Sequence, residues 1–168
     1  SHMFRDLIPL LADRYRLIAP DLPGFGKTKA PARGTFDYTF DRLADVIEGF
    51  TEALSLDRYA LYIFDYGAPV GLRLAMRHPE RVSAIISQNG NAYIDGFSDQ
   101  WGPWEAYWRD ASDANREACR PALSPDTIRD WQYGTGADPE LLSPDGYELD
   151  IAYMARPGAE DIQLDLIR

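Results

Sequence analysis

The stretch 58–82, RYALYIFDYGAPVGLRLAMRHPERV, decides the fold. Residues 58–64 form an apolar run rich in aromatic and branched side chains, the composition of a strand. Asp65 ends the run. After Tyr66 and Gly67, apolar residues recur at helical spacing until His78-Pro79 closes the pattern. A residue on such a strand-to-helix turn projects from the carboxyl end of the sheet. The helix N-terminus aims backbone N–H groups at it, and Gly67 is expected to let helix and strand pack closely. Two readings of Asp65 follow: a nucleophile at the tip of an elbow, in the place serine takes in G-x-S-x-G, or an N-cap favoured by the helix dipole.

Outward from this stretch, 82–90 (VSAIISQNG) reads as another strand, and 16–19 (RLIA) as a short buried strand running into the Pro/Gly turn of PDLPGFG. Phe4, Leu7, Ile8, Leu10 and Leu11 mark a first amphipathic helix. Phe40, Leu43, Ala44, Ile47, Phe50 and Leu54 mark a longer one, with Thr39 placed to cap it. Strands alternating with helices predict an α/β fold with a mostly parallel sheet covered on both faces. After about residue 91 strand-like runs vanish, all four tryptophans appear, and short helical patterns alternate with Pro/Gly breaks. The expected division is a partial α/β core over 1–90 and a helical cap region over 91–168.

Composition narrows the partners. The chain has 168 residues, 45% of them hydrophobic and 26% charged, with a net charge of −10. Its mean field repels phosphate backbones and anionic headgroups, which argues against nucleic acid and membrane partners. Cys119 is the only cysteine, so no intrachain disulfide can form, and no run of about 18 apolar residues appears. With no signal-peptide pattern at SHMFRDLIPLL, the expectation is a soluble cytoplasmic protein that uses no metal and no cofactor.

Gly26-Lys27-Thr28 matches the end of a phosphate-binding loop, but that loop needs a glycine where Asp21 stands, and a carboxylate there would repel phosphate. Trp101, Trp104 and Trp108 fall at i, i+3 and i+7, with Tyr107 adjacent. This aromatic face is either core or, if it meets Asp65, an apolar slot for small uncharged substrates. The two histidines are His2, ahead of the first helix, and His78, at the far end of the elbow helix, where it suits structural or dipole-compensating service.

On YRLIAPDLPGFGKT, IFDYGAPVG, LAMRHPERV and the aromatic segment, the chain resembles the α/β-hydrolase superfamily. More narrowly, it is similar to the aspartate-nucleophile members, the haloalkane dehalogenases and epoxide hydrolases. The resemblance implies that Asp65 attacks an electrophilic carbon, forms an alkyl ester, and is freed by a histidine-activated water. It implies that the Tyr66 backbone N–H is an oxyanion donor, with Tyr66 replacing the tryptophan common there in dehalogenases. Asp95 lies where some dehalogenases keep the acid that orients the histidine, or is a loop residue. Tyr107, Tyr133, Tyr147 and Tyr153 occupy the region of the tyrosines that protonate an opening epoxide.

In the family, the catalytic histidine lies beyond the cap after two further strands, and another strand lies between the segments matching 16–19 and 58–64. The opening SHMFR resembles the residues just after an HG-x-P turn, more than a tag remnant. The expectation is therefore an internal fragment of a hydrolase acting on a small haloalkane-type electrophile, or alternatively an epoxide. The reading from another class is a truncated, non-catalytic binding or assembly protein that associates through exposed strand edges.

Overall fold

The computed structural model describes residues 1–136 and 138–168. In chain order the elements are α1 (Leu7–Leu11), α2 (Phe40–Ala53), β1 (Tyr59–Phe64), α3 (Gly67–Arg77), β2 (Val82–Gln88), α4 (Gly102–Arg109), α5 (Asp113–Cys119), α6 (Pro144–Met154) and α7 (Ala159–Leu166). A π-helical segment, Thr127–Tyr133, stands between α5 and α6. Every regular element beyond residue 90 is helical.

β1 and β2 form a parallel pair, in register from Ala60↔Ala84 to Phe64↔Gln88. The crossover between them is α3. Leu61 and Ile63 share one face of β1, because strand side chains alternate, and α3 lies on that face. A Cβ added at Gly71 would stand 2.4 Å from Ile63 Cγ2 and 3.8 Å from Leu61 Cδ1. On the opposite face, Phe4 meets the Tyr62 ring edge-on with centroids 5.4 Å apart.

The close helix-to-strand approach is therefore at Gly71, one turn into α3. At Gly67 an added Cβ finds nothing within 4 Å, so the expectation that Gly67 permits the approach is corrected. A helix start lifted off the strand by the turn has room to spare, whereas the next turn has swung down onto β1.

Residues 16–19 form no strand; Leu17 and Ile18 are exposed. A strand needs a neighbouring ladder to satisfy its N–H and C=O groups, and the sheet among the described residues contains β1 and β2 alone. For the same reason Tyr62, Ile85 and Ile86 keep 43%, 45% and 48% of their surface.

The turn that follows is organised by Asp21. Its carboxylate accepts the Lys27 N–H at 2.9 Å, and Gly26, at φ 51°, has no room for a Cβ, which would fall 2.3 Å from Asp21 Oδ2. The Thr28 hydroxyl donates to the Asp21 carbonyl. With the Asp21 carboxylate folded into the loop, Gly26-Lys27-Thr28 is no phosphate cradle.

α2 begins as its sequence predicts: Thr39 Oγ1 accepts the Arg42 N–H at 3.1 Å, which satisfies a donor that the first helical turn leaves free. Its apolar stripe packs into a first core of Tyr38, Leu43, Ala44, Val70, Ile162 and Leu166. A second core joins Tyr107, Cys119, Leu123, Leu164 and Ile167. Leu43, Leu74 and Leu164 are sealed from solvent, and burial of each side chain is worth about 1.5–3 kcal/mol.

The short helix α7 supplies both cores. Its outward carboxylates hold a charge network in which Asp165 accepts from Arg33 Nε at 2.6 Å and Arg116 at 2.7 Å, and Asp161 accepts from Arg116 at 3.2 Å and Arg120 at 3.1 Å. Shared, forked arginine contacts hold geometry better than isolated surface pairs do.

The packing separates two glycines in the same helix. Gly71→Ala is expected to lower stability by about 1–3 kcal/mol through overpacking against Ile63, while Gly67→Ala changes it by less than about 1 kcal/mol. Urea midpoints of the two variants check this, and equal midpoints would remove the Gly71 contact as the cause.

Candidate active site

The turn after β1 is strained at one residue. Asp65 has φ 47°, a left-handed conformation that costs a non-glycine residue on the order of 1–2 kcal/mol. Its neighbours hold it there. The Asp65 N–H donates to the Gln88 carbonyl of β2 at 3.4 Å, and the Asp65 carbonyl accepts the Ala68 N–H at 2.9 Å as α3 begins. One residue thus ends a ladder and starts a helix, which throws its side chain outward from the carboxyl end of the sheet.

The carboxylate does not cap α3. Its Oδ1 accepts the N–H of Tyr66, the next residue, at 2.7 Å, and α3 has no side-chain cap bond. Its other oxygen, Oδ2, has no side-chain or backbone donor among the described residues. Although part of Asp65 reaches solvent, enough protein surrounds the carboxyl to raise its pKa above the usual 3.8; loss of hydration is the larger effect, and the Tyr66 N–H opposes it.

Asn89, the residue that follows β2, also has a left-handed backbone, with φ 51°. It leads into Gly90, whose added Cβ would stand 2.4 Å from the Ala68 Cβ. The Asn-Gly pair after a strand was the available sequence signal for this second tight turn.

Tyr66 occupies the seam between the two cores. Its ring meets Phe25 and Phe40 edge-on, with centroids at 6.2 and 5.4 Å, and also packs against the second core beside Trp101 and Trp104. Burial, reinforced by the Asp65 charge, pushes the Tyr66 phenol well above its ordinary range and keeps it protonated. Phe25 and Phe40 were legible in sequence as turn and helix residues, but nothing in their spacing assigned them to Tyr66.

The aromatic stripe of α4 divides. Trp101 and Trp104, like Tyr66, pack against the second core, whereas Tyr107 lies inside that core, its hydroxyl accepting from Arg116 at 3.1 Å. Trp108 donates its indole N–H to the Ile167 carbonyl, and it stacks with Trp101 beside Phe97. Tyr107 and Trp108 are thus committed to packing.

The remaining tyrosines are likewise engaged. Tyr133 donates to Asp150 at 2.5 Å and meets Tyr147 edge-on, and Tyr153 lies under the Arg156 guanidinium at 4.0 Å. Asp95 sits in an exposed turn, Ile94–Gly96, without a hydrogen bond or ion pair from its side chain among the described residues. His78 binds Glu48 of α2, Nε2 to Oε1 at 2.6 Å, the structural service expected at that end of α3. His2 Nε2 is buried and finds no partner among the described residues. Neither histidine hydrogen-bonds to Asp65. No group of three or more His, Cys, Asp or Glu among the described residues could hold a metal ion, and no described helix is long and apolar enough to cross a membrane.

A strand, a left-handed acidic residue and a helix lying back on the strand define a class of α/β protein, and comparison with known proteins places the chain within it. Residues 1–130 match the model of the α/β-hydrolase fold. An uncharacterized hydrolase of Saccharomyces cerevisiae is 44% identical over 170 residues, covering 99% of this chain and 58% of that protein. A haloalkane dehalogenase of Psychrobacter cryohalolentis is 38% identical over 89 residues, covering 52% of this chain and 29% of that protein.

Among solved structures, Cfl2 of Burkholderia cenocepacia superposes with a TM-score of 0.77 at 22% identity, covering 99% of this chain and 58% of that one. A haloalkane dehalogenase of Bradyrhizobium elkanii gives 0.72 at 20% identity, covering 99% and 55%. The chain belongs to the α/β-hydrolase fold family. It spans little more than half the length of the yeast relative and less than a third of the Psychrobacter one.

The raised pKa has a consequence for stability. The folded protein retains the Asp65 proton at pH values where the unfolded chain has released it, so stability falls as pH rises from about the ordinary value through the raised one. Asp65→Asn, which keeps the Tyr66 N–H acceptor, should melt at the same temperature as wild type near about pH 3 and higher than wild type near about pH 7. A melting difference that does not change with pH would show that the carboxyl is not desolvated.

Proposed function

We propose that the protein is a hydrolase in which Asp65 is the nucleophile, acting on a small uncharged electrophile of the haloalkane type, with residues 91–168 forming the cap over the site. The observation that carries this reading is the Asp65 turn itself. A carboxylate is held in left-handed backbone at a strand-to-helix junction without serving the helix as a cap, and backbone strain of this kind persists where the fold requires it.

The chemistry follows from the two carboxylate oxygens. Oδ1 is fixed by the Tyr66 N–H at 2.7 Å, which leaves Oδ2 to attack. Attack on carbon forms a C–O bond and expels halide with the bonding electron pair, giving an alkyl ester on Asp65. When water adds to that ester, negative charge gathers on the carbonyl oxygen, and the Tyr66 N–H is already aimed at this group. The water must give up a proton to a base. His78 is engaged with Glu48, so in this reading the base comes from the complete protein.

Neutral substrates suit the surroundings. Phe25 and Phe40 lie against Tyr66, which packs on the second core as Trp101 and Trp104 do, and Arg33, Arg73, Arg77, Arg116 and Arg120 are each committed to carboxylates elsewhere. Haloalkane chemistry is preferred over epoxide opening because, of the candidate proton donors, Tyr133 already donates its proton to Asp150 and Tyr107 is buried inside the second core. The dehalogenase among the relatives points the same way.

In the complete protein, Asp65→Asn should lower halide release by at least about 10³-fold. Halide release and diol formation from haloalkane and epoxide panels make the measurement. Wild-type rates from freshly prepared, undeamidated variant would remove Asp65 from the role, and cleavage of carboxylic esters alone would replace the proposed chemistry.

A further inference from the structure

The two backbone hydrogen bonds that fix Asp65 both adjoin one dipeptide. The Gln88 carbonyl that accepts the Asp65 N–H at 3.4 Å belongs to the peptide group joining Gln88 to Asn89. The N–H that donates to the Asp65 carbonyl at 2.9 Å is that of Ala68, the residue on which Gly90 packs: a Cβ added at Gly90 would stand 2.4 Å from the Ala68 Cβ. Asn89 therefore spans the gap between a residue fixed in the ladder and a glycine fixed against the first turn of α3.

Asn-Gly is also the pair in which an asparagine side chain most readily reacts with its own backbone, because glycine carries no side chain to obstruct the N–H that follows. Asn89 is exposed, and neither its amide nor the Gly90 N–H makes a hydrogen bond among the described residues. The other two asparagines of the chain are Asn91 and Asn115. Asn91 precedes Ala92, whose methyl group hinders approach to its N–H. Asn115 is tied down: its amide donates to the Asp110 carbonyl at 2.9 Å, and the Arg116 N–H that follows it is held by the Ser112 carbonyl at 3.0 Å.

We propose that Asn89-Gly90 is a self-modification site, and that its isoaspartate product releases the Asp65 turn. The Gly90 nitrogen attacks Asn89 Cγ and forms an N–C bond. The bond from Cγ to Nδ2 breaks, and ammonia leaves with the proton that the Gly90 nitrogen loses. Water then opens the cyclic imide. Opening at Cγ gives aspartate, and opening at the main-chain carbonyl gives isoaspartate, in which the chain runs through the former side chain. Either product is one dalton heavier than asparagine. Isoaspartate makes the path from Gln88 to Gly90 one bond longer, and Gly90 has no room to move toward Ala68. The Gln88 carbonyl and the Ala68 N–H then no longer hold Asp65 together, and its left-handed backbone relaxes. The modification stands on the dipeptide alone; its effect on turnover rests on the reading of Asp65 as the nucleophile.

The test ages the complete protein in mildly alkaline buffer, folded and unfolded in urea, and maps tryptic peptides by mass. The peptide 82–109 should gain one dalton at Asn89, with isoaspartate confirmed by methyl transfer from an isoaspartyl methyltransferase, while Asn91 and Asn115 stay unchanged in the folded protein. Folded protein should convert within about 10-fold of the unfolded rate, since an exposed turn opens at little cost. Slower conversion, or conversion at Asn91 or Asn115 first, would overturn the site.

The isoaspartyl form, separated by its added negative charge, should melt lower than fresh protein by more than about 5 °C. Asn89→Gly accepts the same backbone angle and cannot cyclise, so it should age without loss. Asn89→Asp adds the charge without lengthening the chain and should melt within about 2 °C of wild type. Equal losses in aged Asn89→Gly, or a loss in Asn89→Asp as large as that of the isoaspartyl form, would overturn the backbone mechanism. Halide release by the isoaspartyl form should fall by at least about 10-fold, and an unchanged rate would overturn the link to Asp65. If fresh wild type releases no halide, the nucleophile reading fails, and the mass and melting comparisons still decide Asn89.

Discussion

The left-handed backbone of Asp65 is the constraint on which the rest depends. A parallel strand pair needs a crossover that leaves the end of one strand, crosses the sheet and returns, and here the crossover starts within one residue of the ladder. The Asp65 N–H still belongs to β2 through Gln88, while its carbonyl already belongs to α3 through Ala68. So sharp a reversal lays α3 back on β1, and glycine at position 71 is its steric consequence. It also fixes where Asp65 can point, because neither peptide bond flanking it is free to turn.

The reversal positions Tyr66, which joins the sheet half to the helical half. An aromatic ring with different neighbours on its two sides makes the cores interdependent: Phe25 and Phe40 belong to one, Trp101 and Trp104 to the other. α7 repeats this arrangement with aliphatic side chains and adds charge on its outer face. The arginines that bind it come from three places, the loop at Arg33, α5 at Arg116 and the turn at Arg120. Moving α7 would therefore disturb both cores and break forked ion pairs together. A site at the seam between these halves inherits its rigidity from both.

Much of this was legible in residue order. The apolar run before Asp65, the helical spacing after it, the Thr39 cap and the loss of strand patterns beyond residue 90 depend on neighbours a few positions apart, and these are the ranges over which helix and strand periodicity act. Asp21 in place of a loop glycine was likewise enough to exclude a phosphate loop. The segment 16–19 shows the limit. Its residues suit a strand, but a strand is a property of two segments, and no ladder reaches it among the described residues. The tryptophan stripe shows another: spacing put Trp101, Trp104 and Trp108 on one face, but whether each meets the core or a carbonyl oxygen depended on residues distant in sequence, such as Leu164 and Ile167.

Sequence by itself determined the strand-turn-helix around Asp65, the α/β class and the acidic surface, because each is set by local pattern or by composition. Only the tertiary structure decided that Asp65 is left-handed and not a cap, and that Gly71 rather than Gly67 carries the close contact. The physical reason is common to both: backbone angle and steric clearance are fixed by what comes to lie opposite a residue, and those partners are brought there by the folding of the whole chain.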